Sequence, residues 1–99
     1  MSALPIVFRE QALTDLEGIS AYISQDNPAA AERVIKRIYT VIFNTIATFP
    51  RSGTQGDGLA REFAVPGLQY LIVYIPTDAF IDVIGVFHSA RDPASKPRA

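Results

Sequence analysis

Two stretches of this chain carry residue types that could do chemistry. His88-Ser89-Ala90-Arg91 sets an imidazole and a guanidinium three residues apart near the C-terminus. Such a pair at a strand end could act as general acid and phosphate clamp in cutting a phosphodiester. The competing reading is structural: His88 orders the terminal loop, and Arg91 pairs with Asp92 or with a carboxylate of the first helix. Arg61, which alternates with Ala60 and Glu62, shares a face with Phe63 and Val65. It reads as a buried partner for Glu17 or Asp15, or as an anion ligand. Ser20, Tyr22, Tyr39, Tyr70 and Tyr74 can all donate hydrogen bonds, but tyrosines serve more often as amphipathic core or interface residues. Arg33, Lys36 and Arg37 cluster on one helix, and a solvated helix face explains them without a partner.

Other chemistries find no support. The chain has no cysteine and a single histidine, which removes disulfides, thiolate zinc sites and thiol nucleophiles. A histidine-based metal site would need carboxylates for nearly all its other ligands, so we expect no metal and no cofactor. Gly53, Gly56 and Gly58 do not match phosphate-cradling spacing, and no dinucleotide fingerprint or nucleophile elbow is present. Nine Lys and Arg against ten Asp and Glu leave a net charge of −1, which argues against a broad nucleic-acid footprint. Hydrophobic residues make up 48% and charged residues only 19%, so either the core is large or an apolar surface is kept for a partner. The opening Met1-Ser2-Ala3-Leu4-Pro5 has neither a basic nor a sustained apolar segment, and no apolar run approaches bilayer length. We therefore expect a cytoplasmic protein without membrane contact. Taken alone, the residues support a partner-binding module better than a catalyst.

The elements that must position these residues follow from periodicity. Pro5 to Arg9 reads as an opening strand. Ala12, Leu13, Leu16, Ile19 and Ile23 recur at three- and four-residue steps and predict a helix from about Gln11 to Gln25. Asn27-Pro28 is an N-cap followed by a proline suited to the first helical position. A second helix is expected from Pro28 to about Thr48, on the period of Ala31, Val34, Ile35, Ile38, Val41, Ile42, Thr45, Ile46 and Phe49, and Pro50 closes it. Arg51 to Gly58, with three glycines, reads as loop. Three extended segments follow, about Leu59–Val65, Leu68–Ile75 and Phe80–Phe87, joined by turns at Pro66-Gly67 and Pro76-Thr77-Asp78 that are too short for anything but antiparallel neighbours. The last two, apolar on both faces, belong at the sheet centre. The expected fold is α+β: a helical hairpin packed on a mainly antiparallel sheet, in the order β-α-α-β-β-β. Residues 1–93 form one domain in this reading, and 94–99 a flexible tail.

The whole pattern resembles the ParE branch of the RelE/ParE superfamily of toxin–antitoxin and plasmid-stabilisation toxins. The resemblance runs from about Ile6 to Pro93. It is carried by Ala12-Leu13-Thr14-Asp15-Leu16-Glu17-Gly18-Ile19 with Tyr22-Ile23, by Asn27-Pro28-Ala29-Ala30-Ala31, and by Phe49-Pro50-Arg51-Ser52-Gly53. Further matches are Arg61-Glu62, Tyr70-Leu71-Ile72-Val73-Tyr74 and Val86-Phe87-His88-Ser89-Ala90-Arg91-Asp92-Pro93. Each piece is short; their order and spacing together are specific.

The resemblance implies a toxin neutralised by a cognate ParD-like antitoxin, as a heterodimer or heterotetramer, whose amphipathic C-terminal segment wraps the toxin. Members similar to ParE trap DNA gyrase on cleaved DNA, and any DNA contact would come from the antitoxin. Members similar to RelE cut mRNA on the ribosome with basic residues and a late tyrosine or histidine. Here only Arg61, His88 and Arg91 could serve such a reaction, and no tyrosine follows Tyr74. That departure favours the gyrase branch, with Arg61, Tyr70, Tyr74, His88 and Arg91 as the residues expected to bind target or antitoxin. An endoribonuclease, or a toxin that has lost activity and only binds antitoxin, are the alternatives.

Overall fold

The computed structural model describes residues 3–90; Arg91 and the expected tail at 94–99 lie outside the described residues. Strand β1 (Ile6–Phe8) leads into helix α1 (Glu10–Ser24). Ala12, Leu16 and Ile19 of α1 are buried, and Ile23 packs beside them. This is the i, i+4, i+7, i+11 stripe of a helix laid on a core. Its apolar face, rather than its caps, fixes this helix: Arg9 at the N-cap position makes no side-chain capping bond.

Helix α2 (Pro28–Thr40) starts differently. The Asn27 side-chain oxygen accepts from the Ala30 amide at 3.0 Å, and Pro28 occupies the position whose amide would have had no partner. Asn27→Ala is therefore expected to cost about 1 kcal/mol, lowering the urea midpoint at unchanged slope. The chain continues helically beyond Thr40, as the periodicity implies, but its winding changes. Residues Val41–Ile46 form a π-helix, with the Ala47 amide reaching back five residues to the Ile42 carbonyl at 3.0 Å. Val41, Ile42 and Ile46 of this segment are buried.

The sheet contains β2 (Thr54–Gln55), β3 (Arg61–Ala64), β4 (Tyr70–Pro76) and β5 (Ile81–His88), in the order β1-β5-β4-β3-β2. The two central strands are β4 and β5, whose apolar residues are buried on both faces, as their composition demands. All neighbours are antiparallel except β1, which lies parallel to β5 with Ile6 opposite Ile81. The expected all-loop stretch after Pro50 contributes β2, two residues paired with Glu62 and Arg61. His88 lies within β5 rather than past it.

At the β3–β4 turn Gly67 has φ +79°, and the Leu68 amide reaches the Val65 carbonyl. This is the proline-then-glycine signature of a type II turn. The register between β4 and β5 jumps at Val73/Tyr74, which leaves Ile84 as the extra residue of a bulge. Strand β1 flanks only Ile81–Val83; further along β5 the Val86 amide donates to the Asp15 carboxylate at 3.0 Å. Arg9, beside β1, bonds Asp82 at 2.9 Å, and its guanidinium is held above its ordinary value first by that hydrogen bond and then by the carboxylate charge.

The main core lies between the helices and one sheet face, around Ile38, Ile42, Ile46, Ile72, Tyr74, Ile81 and Val83. A smaller cluster of Ala60, Val73, Ile84 and Phe87 sits apart from it, with Ile75 packed alongside.

Candidate functional site

Four of the five residues singled out by sequence, Arg61, Tyr70, Tyr74 and His88, are described, and they fall at two ends of the sheet. At one end, Tyr74 is fully buried, and its hydroxyl donates to the Pro50 carbonyl at 2.8 Å while accepting from the Gly53 amide at 2.9 Å. Position 53 must be glycine for this approach, because a Cβ there would lie 2.7 Å from the Tyr74 hydroxyl oxygen and 2.9 Å from the Glu62 carbonyl oxygen. Arg61, directly across from Tyr74 in the sheet, donates to the Gly53 carbonyl at 2.7 Å and reaches the Arg51 carbonyl at 3.4 Å. The expected partners Asp15 and Glu17 are not the ones it meets: Asp15 is engaged by Val86 and by Gln11. Arg61 and Tyr74 together hold the loop at 50–53 against the sheet.

At the other end, His88 faces Tyr70 across β4 and β5, with the rings edge-on at 5.1 Å. The Ala90 amide donates to His88 Nδ1 at 3.2 Å, so in this arrangement the ring carries its proton on Nε2. The Ser89 amide donates to the Gln69 carbonyl at 2.8 Å and ties the same turn to the start of β4. The structural reading of His88 thus describes the contacts it makes. Arg91 follows this turn in sequence, outside the described residues.

The two ends are not brought together. Arg61 is level with Tyr74 and His88 with Tyr70, four positions along β4. At about 3.3 Å per residue this is about 13 Å between their backbones, and the Arg61 guanidinium is turned to the carbonyls of the loop at 50–53. Among the described residues no group of three or more His, Asp or Glu side chains is placed to hold a metal ion.

A third feature was not marked as a site from sequence. The outer side of the helical hairpin forms an open groove of about 1180 Å³ between α1 and the second helix. Leu13 and Leu16 on one wall and Ile35, Tyr39 and Phe43 on the other supply its apolar lining. Leu13 and Phe43 are about half exposed although both are large and apolar. Phe43 stacks on Tyr39 with ring centroids 6.1 Å apart, and Phe8 packs against both, building an aromatic end to the groove. The volume exceeds that of most small-molecule pockets, and an apolar trough of this kind suits a helix face. One signal for it was present in sequence: Phe43 lies off the periodic core stripe of the second helix. Among the described residues no helix is long and apolar enough to cross a membrane.

Comparison with known proteins agrees with this architecture. Residues 6–93 match the family described as the ParE toxin of type II toxin–antitoxin systems, parDE. The chain is 33% identical over 86 residues to a Caulobacter vibrioides protein named toxin RelE2, covering 87% of this chain and 96% of that one. It is 36% identical over 91 residues to Y4kP of Sinorhizobium fredii, covering 90% and 92%. A solved structure described as the chromosomal ParDE toxin–antitoxin system from P. aeruginosa shares the fold, with a TM-score of 0.71, 13% identity and coverage of 87% of this chain and 96% of the other. The motif order, the helical hairpin on its five-stranded sheet and a family match spanning nearly the whole length lead to one assignment: the chain belongs to the ParE toxin family of type II toxin–antitoxin systems.

Proposed function

We propose that this toxin acts in the cytoplasm by binding rather than by catalysis, with DNA gyrase as its target, and that a ParD-like antitoxin silences it by laying an amphipathic helix into the α1–α2 groove. The half-exposed apolar lining of that groove carries the antitoxin reading, because a monomer seldom leaves large apolar residues such as Leu13 and Phe43 half-exposed on facing walls of one groove without a partner for them. The target reading is supported by charge and by the contacts of Arg61. A net charge of −1 gives little affinity for a polyanion. The Arg61 guanidinium is occupied by the backbone carbonyls of Gly53 and Arg51, which leaves it committed to the loop rather than to a phosphate clamp. In this proposal His88 and Arg91 bind the target, Tyr70 orients His88, and Arg61 and Tyr74 act as positioning residues for the loop at 50–53.

Expression of the chain alone is expected to arrest growth, and co-expression of the antitoxin encoded beside it to restore growth. Purified toxin is expected to inhibit gyrase supercoiling and to accumulate cleaved DNA, reversed by the antitoxin. Growth arrest with gyrase untouched and mRNA cut on ribosomes would move the chain to the RNA-cutting branch. Absence of any growth effect, with antitoxin binding intact, would leave only the binding role.

A further inference from the structure

The groove is not electrically neutral, and its two walls differ. On the α1 wall it is lined by Glu10 and Glu17, and α1 contains no basic residue at all. On the α2 wall Glu32 and Lys36 lie one helical turn apart, with no ion pair between them. The other basic residues of α2 do not line the groove: Arg33 is absent from its walls, and Arg37 donates to the Pro66 carbonyl at 3.0 Å. Neither Glu10 nor Glu17 forms an ion pair with another described residue, whereas the remaining α1 carboxylate, Asp15, is occupied by Val86 and Gln11. Among the described residues the apolar trough is thus bordered by Glu10, Glu17 and Glu32 against Lys36 alone, a net negative lining, and neither Glu10 nor Glu17 has an ion-pair partner there.

From this we infer that the groove selects a basic-flanked helix: an amphipathic partner helix of about four turns whose α1-facing edge carries Lys or Arg at seven-residue spacing. The spacing follows from the wall itself. Glu10 and Glu17 are two turns apart, about 10 Å along the axis, and the α1 wall from Glu10 to Ser24 is about 21 Å long. A large apolar residue of the partner seats at the aromatic end, on Tyr39 and Phe43. The smaller residues at the hairpin tip, Ser20, Ser24, Pro28 and Ala31, let the partner backbone approach closely. Charge on the α1 edge does not supply most of the affinity, which comes from the apolar face. It rejects acidic-flanked helices, and so chooses among partners of similar hydrophobicity. This inference rests on the antitoxin-docking reading above and adds to it the chemistry of the recognised surface.

The test uses the purified toxin and two synthetic amidated 15-residue helical peptides. Both carry leucines along one face; one has two lysines seven residues apart on one edge, the other glutamates at the same positions. Titration at 50 mM salt is expected to give about tenfold tighter binding of the lysine peptide, equivalent to about 1.4 kcal/mol, and the gap is expected to collapse at 500 mM salt. Glu10→Gln/Glu17→Gln should remove most of the preference, and Glu10→Lys/Glu17→Lys should invert it, with circular dichroism establishing that each variant is folded. Equal affinity for both peptides, or no binding of either to the folded toxin, overturns the inference. Growth arrest and its rescue test the toxin–antitoxin reading separately. An antitoxin that binds Glu10→Lys/Glu17→Lys as tightly as the parent would leave that reading standing and refute this one.

Discussion

Replacing Tyr74 with alanine is expected to cost about 3–5 kcal/mol of stability, and Tyr74→Phe about 1–3 kcal/mol, both read as shifts in the urea midpoint. The two substitutions separate two contributions. The ring is fully buried in the main core, so its removal leaves a cavity beneath the helices. The hydroxyl is the point at which the Pro50 carbonyl and the Gly53 amide meet the sheet, and phenylalanine leaves both without that partner. Arg61 would still hold the Gly53 carbonyl, so the loop at 50–53 should loosen rather than detach. Trypsin gives a second readout, because Arg51 lies in this loop: cleavage after Arg51 should accelerate in Tyr74→Phe under native conditions. A change below about 0.5 kcal/mol with unaltered proteolysis would mean that the hydroxyl does not restrain the loop. For a domain of this size, with about 5–15 kcal/mol in total, the alanine variant is expected to be partly unfolded at growth temperature.

How much of this was legible in the sequence depends on whether the deciding interaction is local. Both helices were readable because Ala12, Leu16 and Ile19, and again Ala31, Ile38 and Ile42, mark one face each, and because Asn27-Pro28 punctuates the link between them. The central position of β4 and β5 followed from apolar residues on both faces. Three features were not readable. The parallel pairing of β1 with β5 joins residues 75 apart in the chain, such as Ile6 and Ile81, and nothing in a three-residue strand specifies its partner. Strand β2 exists only because β3 lies beside it; Thr54-Gln55 between glycines has no strand signal of its own. The π-helix keeps the same buried residues as an α-helix would over so short a span, so periodicity cannot tell the two windings apart.

The site was less legible than the fold, for a related reason. Arg61 among apolar neighbours was read as a partner for Glu17 or Asp15 or as an anion ligand, because sequence offers only side chains as candidates, whereas its acceptors are the backbone carbonyls of Gly53 and Arg51. The groove was hidden because its walls are built from residues on two helices, each of which looks like a slightly widened apolar stripe when read alone. Leu13 next to Ala12 and Phe43 next to Ile42 are the residues that widen those stripes.

That last pair allows core and docking surface to be separated at adjacent positions. Ile42 is fully buried and packs in the main core, whereas the next residue, Phe43, is 46% exposed and lines the groove. Ile42→Ala is expected to cost about 2–5 kcal/mol of stability, with whatever binding survives explained by the fraction that remains folded. Phe43→Ala gives up its ring contacts with Tyr39 and Phe8, about 1 kcal/mol of stability, and keeps the fold. Its larger effect is expected on antitoxin affinity, by on the order of 2 kcal/mol, the size of loss that removing an aromatic anchor of an interface gives. Urea unfolding and antitoxin titration on both variants would resolve the two effects. If Phe43→Ala bound antitoxin as tightly as the parent chain, its half-exposed ring would have to serve some surface other than the antitoxin's. If Ile42→Ala lost affinity while fully folded, the π-helix that carries both residues would itself be part of what the partner reads.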